Sequence, residues 1–138
     1  MATITRFVAA RIASINVECF TSDDGYSDPD YVHSQILNGR LHYITVGKGR
    51  ILGYILYRVF ATHIESIRRA LTRDARGRGL GVLLSKKLII VAKRKRLEIF
   101  TYVSKVNLPS LNSNFKVGYK ITDIGADWVY IRYTPKGV

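Results

Sequence analysis

The chain has 138 residues, of which 22 are Lys or Arg and 10 are Asp or Glu, for a net charge of +12; that length suits one domain, residues 1–138, with room for a real core. A single cysteine, Cys19, excludes an intrachain disulfide and fits a reducing compartment. No apolar run approaches the ~20 residues of a membrane-spanning helix, and the start lacks a basic region followed by an apolar one, so a cytoplasmic protein without membrane contact is expected.

Ile4 to Ala9 reads as a short strand and Ala10 to Phe20 as an amphipathic helix through Ile12, Ile15, Val17 and Phe20. Thr21 to Asp28 is loop chemistry. Asp28-Pro29 then starts a second helix, with Asp as N-cap and Pro at the first helical position, and Gly39 ends it. Leu41 to Val46 and Ile51 to Phe60 are strands joined by Gly47-Lys48-Gly49-Arg50, a hairpin signal. Gly53 inside the second strand suggests a bulge or a close backbone contact. His63 to Thr72 is a third strand. A helix starting at Leu80 ends near Arg96, where Lys93 to Arg96 suit its C-terminal dipole. Leu97 to Ser104 is a strand, Pro109 to Val117 a short helix closed by Gly118, and Lys120 to Asp123 with Trp128 to Tyr133 a last hairpin around Gly125.

Between the third strand and the long helix lies Arg76-Gly77-Arg78-Gly79-Leu80-Gly81. A strand, a glycine-rich turn and a helix start make an anion site: glycine admits a phosphate close to the backbone, and the free N–H groups of the first turn point outward along the dipole. The stretch lacks the Gly-Lys-Ser/Thr of a P-loop and the Gly-x-Gly-x-x-Gly order of dinucleotide folds. Further on, Asn107-Leu108-Pro109-Ser110 follows a strand, and Gly118-Tyr119 follows a short helix.

These two stretches, in this order, resemble the GNAT superfamily of acyl-CoA-dependent N-acyltransferases. Its pyrophosphate signature, Arg/Gln-x-x-Gly-x-Gly/Ala, is filled by Arg76, Gly79 and Gly81. The resemblance implies a mixed α/β fold in the order β-α-α-β-β-β-α-β-α-β-β and an N-acetyltransferase that uses acetyl-CoA as its acyl donor. It places the pyrophosphate on Arg76, Gly77, Arg78, Gly79, Leu80 and Gly81, and gives the main chain of Ala70, Leu71 and Thr72 to the pantetheine arm and acyl carbonyl. Asn107 matches the asparagine that bonds the pantetheine, with Ser110 beside it, although Asn107 would equally cap the helix it precedes.

One departure stands out. Many family members place a tyrosine seven residues after that asparagine, where this chain has Asn114, and an amide cannot donate a proton as a phenol can. Tyr102 and Tyr119 are the nearby phenols that could act instead. For the base, Glu65 lies among apolar neighbours on the strand that often carries it, where burial would raise its pKa; a solvent-facing glutamate is the other reading. His63 is a weaker candidate on the same strand.

No metal site is expected, since His33, His42 and His63 are scattered and Cys19 has no ligand at zinc-type spacing. Nucleophilic serine catalysis lacks its elbow motif. The acceptor is expected to be a primary amine of a protein or peptide, or of a small cation such as a polyamine or aminoglycoside. Half of the ten acids (Glu18, Asp23, Asp24, Asp28, Asp30) fall in one stretch that could receive such a cation, or simply be solvated. The basic residues between Lys86 and Arg96 support an alternative reading, a basic nucleic-acid-binding module on the same fold that uses coenzyme A little or not at all, or an enzyme directed to aminoacyl-tRNA. The chain is expected as a monomer or homodimer.

Overall fold

The computed structural model describes residues 2–21 and 24–138. Ser22 and Asp23, part of the expected acidic loop, lie outside the described residues. The elements are α1 (Ala2–Cys19), α2 (Pro29–Leu37), β1 (His42–Val46), β2 (Gly53–Val59), β3 (His63–Leu71), a 3-10 turn (Arg73–Ala75), α3 (Leu80–Lys95), β4 (Glu98–Ser104), α4 (Leu108–Lys116), β5 (Lys120–Ile124) and β6 (Trp128–Tyr133). The strands form one mixed sheet in the order β1-β2-β3-β4-β6-β5. Every neighbouring pair is antiparallel except β3 and β4, which run parallel.

The expected first strand is absent: residues 4–9 are the opening turns of α1. The buried positions Val8, Ala9, Ile12, Ala13, Ile15 and Asn16 recur at helical spacing and pack as one stripe on the sheet. A strand there would have sent alternate residues to opposite faces. The α2 start is as expected, with the Asp28 side chain accepting from the Asp30 N–H at 3.0 Å and Pro29 entering the first turn.

Two cores lie on the two faces of the sheet. On one face α3 and α4 bury Leu84, Leu88, Ala92 and Leu111 against Ile55, Ile64, Ile99 and Ile131. On the other, α1 and α2 bury Ile12, Ile15 and Val32 against Tyr54, Leu56 and Ala70. The second core stops at β3, so Phe100, Tyr102, Trp128 and Tyr130 of β4 and β6 remain exposed beside it.

At Gly53 a Cβ would overlap the Leu71 side chain and the Ala70 carbonyl, so glycine there allows the close approach of β2 to the end of β3. A bulge follows in the same ladder. Leu56 pairs with Arg68 while Tyr57 pairs with Ser66, which leaves Ile67 unpaired and bends β3. The parallel ladder between β3 and β4 covers only His63↔Glu98, Ile64↔Ile99 and Glu65↔Phe100. Beyond those pairs the two strands part.

Candidate active site

The parting of β3 and β4 opens a cavity of about 600 Å³. Residues 66–69 form one bank and 101–104 the other; α4 contributes Ser110 and Asn114, and the end of α1 brings Phe20. On the β2 side β3 is hydrogen-bonded through Ala70 and Leu71. Toward β4 the same segment has no ladder.

The Arg76–Gly81 turn has the geometry its sequence demands. Gly77 and Gly79 adopt φ of 78° and 77°, in the left-handed region where glycine carries no Cβ penalty. A Cβ at either would meet nothing within 4 Å, so these glycines serve the backbone path and leave its outer side open. Gly79 is the N-cap of α3, and no side chain caps the helix there. The first-turn amides therefore face outward with the positive end of the dipole behind them, a cradle suited to a diphosphate.

The residues before the turn are tied down. The Thr72 N–H donates to Leu52 O at 2.8 Å, and its hydroxyl donates to Asp74 at 2.8 Å. That hydroxyl holds the Asp74 carboxyl below its usual range, helped by the charges of Arg50 and Arg78; Arg50 also pairs with it at 3.2 Å. The Leu71 carbonyl accepts from the Cys19 thiol at 3.2 Å, and Arg76 donates to the same sulfur at 3.4 Å. Arg76 thus clasps the end of α1, while Arg78 stays exposed at the mouth of the turn.

Other expected residues separate into two groups. Asn107, Ser110, Tyr102 and Tyr119 all line the cavity. Asn107 caps α4 by accepting from the Ser110 N–H at 3.3 Å, which leaves its amide N–H groups unused among the described residues. Tyr119 is deeply buried, and burial pushes its phenol above the ordinary range against the opposing charge of Arg69. Tyr102 projects from the uncovered face, 53% exposed, and meets Trp128 edge-on at 5.1 Å.

Glu65 is not among the cavity residues. It is exposed, on the stretch where β3 and β4 are still paired, opposite Arg58 and Phe100. The expected burial among apolar neighbours is not found: Ile64 beside it packs into the α3–α4 core on the opposite face, and Glu65 itself is exposed. His63 stacks on Phe60 at 4.9 Å and meets Phe100 at a tilt, 5.0 Å away, at the same end of the sheet.

Two arginines of β3 were not legible as site residues. Arg68 faces the α1 side, pairs with Asp24 at 2.5 Å and lies over the Phe20 ring at 4.3 Å. It also donates to Asn16 Oδ1 at 3.2 Å, which the buried Tyr54 hydroxyl meets at 2.8 Å. This network fixes the α1 end on the cavity rim. Arg69 faces the other side. Its Nη1 donates to Gly81 O at 3.0 Å and Ser85 Oγ at 2.7 Å, and its Nη2 to Ser110 Oγ at 3.0 Å and Ser113 Oγ at 2.7 Å. One guanidinium thereby joins the first turns of α3 and α4.

Residues 9–118 match the model of the acetyltransferase (GNAT) family. No curated protein matches the chain. Among solved structures, the PaiA N-acetyltransferase of Thermoplasma acidophilum, in complex with coenzyme A, is similar at a TM-score of 0.67 and 17% identity, over 95% of this chain and 91% of that one. Arabidopsis thaliana NAA60 with a bisubstrate analogue aligns at 0.77 and 10% identity, over 94% of both chains. YncA of Salmonella typhimurium, solved with its cofactor acetyl-CoA, aligns at 0.76 and 16% identity, over 96% and 91%.

Proposed function

The chain belongs to the acetyltransferase (GNAT) family, and from that premise we propose that it uses acetyl-CoA to acetylate a primary amine of a protein or peptide. Acetyl-CoA supplies the activated acyl group when bound. The amides of Gly79, Leu80 and Gly81 suit its diphosphate, with Arg78 beside them. The free edge of β3 at Ala70–Leu71 and the unused amide of Asn107 suit the pantetheine arm, and Ser110 lies next to Asn107.

The acceptor reading rests on the uncovered half of the sheet. The cavity opens between Phe20 on one side and Tyr102 with Trp128 on the other, onto a face that no helix core covers. An open, aromatic-walled mouth accommodates an extended chain whose terminal or side-chain amine reaches inward; aromatic faces also attract cations. The bisubstrate analogue held by NAA60 is in keeping with such an acceptor path. Tyr102 and Tyr119 flank the reacting end from the two faces of the sheet. Glu65 lies outside the cavity wall, so the amine's proton leaves to solvent.

The test is turnover of acetyl-CoA with free thiol detected, run against peptides, polyamines, aminoglycosides and aminoacyl-tRNA. Peptide amines should give the highest kcat/KM, and acetyl-CoA should raise the melting temperature by mass action, about 2.7 kcal/mol at a hundredfold excess over Kd. Turnover confined to small cations or to tRNA would replace the acceptor. No thermal response to acetyl-CoA would remove the cofactor reading itself.

A further inference from the structure

Arg69 is a half-buried cation without a counter-charge. Among the described residues no carboxylate pairs with it, unlike Arg68, Arg50, Arg6 and Arg132. Its four partners are neutral: one carbonyl and three hydroxyls. Burial works against the charged form, yet a guanidinium stays protonated. The helix starts that it joins add positive potential and cancel none. Hydrogen bonds are satisfied here; the unit charge is not, and an enclosed cation without an anion is costly. A mere clamp between two helices would not need it.

The hydroxyl protons around Arg69 point to where the missing anion belongs. Ser85 donates onward to Asn114 Oδ1 at 3.3 Å, and Ser113 to the Ser110 carbonyl at 2.9 Å. Ser110 Oγ accepts from Arg69 at 3.0 Å, and its own proton has no acceptor among the described residues. Ser110 lines the cavity with Asn107. The remaining charged or titratable side chains on the cavity wall are Arg68 and Asp24, which pair with each other, and the phenols Tyr102 and Tyr119.

Resting on the reading that coenzyme A binds here, we propose that Ser110, polarised from behind by Arg69, is the hydrogen-bond donor that stabilises the departing sulfur of coenzyme A. The Ser85–Asn114 pair completes the network in place of a phenol at position 114. In the transfer, the amine nitrogen forms the new bond to the acyl carbon. The carbon–sulfur bond breaks with its electron pair passing to sulfur, and the amine's proton goes to water. Ser110 keeps its own proton, since an alkyl hydroxyl is too weak an acid to yield it. A hydrogen bond to an anion is roughly twice as strong as a neutral one. Arg69 touches no reactant and is a positioning residue.

The test reads the thiol of bound coenzyme A by the ultraviolet absorbance of its thiolate across a pH titration. The complex with desulfo-coenzyme A is subtracted to remove the protein's tyrosines and Cys19. In the unsubstituted protein the bound thiol should ionise about one pH unit or more below free coenzyme A, a tenfold gain in thiolate. Ser110→Ala and Arg69→Met should return it toward the free value, and Tyr119→Phe should leave it displaced. Ser110→Ala should also lower kcat roughly 10²-fold with only a small change in coenzyme A affinity. Should Arg69→Met fail to fold, Ser110→Ala decides alone. A bound thiol that ionises as in free solution, a displacement that survives Ser110→Ala, or one abolished by Tyr119→Phe overturns the assignment while leaving the cofactor site standing. If coenzyme A does not bind at all, both fall together.

Discussion

Thr101 follows Phe100, the last residue of β4 paired with β3, and its hydroxyl donates to the Ser66 carbonyl at 2.9 Å. Continued register would have paired these two residues through their backbones. A side chain spans the gap instead, at the apex where the cavity begins. Thr101→Val keeps the shape and removes the donor, leaving the half-buried carbonyl without it, at about 1 kcal/mol. Urea unfolding should show that loss, and Thr101→Ser should recover most of it. Equal stability of the valine variant and the parent would deny the bridge any role at the apex.

Gly79→Asp places a carboxylate at the N-cap of α3, where the helix has no side-chain cap. The left-handed φ of 77° costs a non-glycine residue about 1 kcal/mol, partly offset by capping and dipole terms of similar size. Folding should survive, and the thermal shift on adding acetyl-CoA should vanish, because the protein's own anion then occupies the diphosphate cradle. An unchanged shift would show that the diphosphate lies elsewhere.

Asn114 is buried, accepts from Ser85 and donates to the Ser110 carbonyl at 3.0 Å. Restoring a phenol there is therefore not a simple gain. Asn114→Tyr must fit a larger ring into a filled position and leaves the Ser85 proton without its acceptor; overpacking of this kind costs about 1–3 kcal/mol. The variant should unfold at lower urea and turn over more slowly than the parent. Faster turnover would mean that the site still has room for a phenol.

His42 stacks on Tyr57 at 5.3 Å, and burial, with Lys95 adding to it, holds its imidazole below the ordinary value of 6.5. The folded state thus resists protonation. The resulting contribution to stability is complete above that ordinary value and is lost as the pH falls from it toward the lowered one. His42→Phe retains the stack and removes the titration. Its urea midpoint should fall less than the parent's between about pH 7 and about pH 5; parallel slopes would assign the acid sensitivity to other groups.

Turn chemistry makes much of the fold readable in the sequence itself. Asp28-Pro29, the 76–81 glycines and Asn107 each start a helix where they were expected, because their backbone and capping preferences are local. The opening of α1 was misread since Ile4, Phe7 and Val8 form too short an apolar run to separate the two periods; Ile4 and Phe7 are in fact exposed, so the stripe becomes clear only through Ile15. Arg69 escaped notice for a different reason. Beside Arg68 it resembled ordinary surface charge; alternation sends the two arginines to opposite faces, but the bulge at Ile67, which decides that Arg69 is the one facing α3 and α4, leaves no mark in the sequence. Its partners lie 12 to 44 residues away. For Glu65 the sequence leaves a buried and a solvent-facing reading open, because strand parity decides between them and is not legible; the side chain is exposed.

The two cores carry a consequence for synthesis. Every buried member of the α1–α2 core lies between Val8 and Ala70, so that half can collapse while the ribosome is still adding α3. The opposite core cannot close so early: it draws on Val46, Ile55 and Tyr57 together with residues as late as Ile131. Until α3 emerges, the underside of the nascent hairpin β1–β2 stays wet, and this is where a chaperone would find its grip.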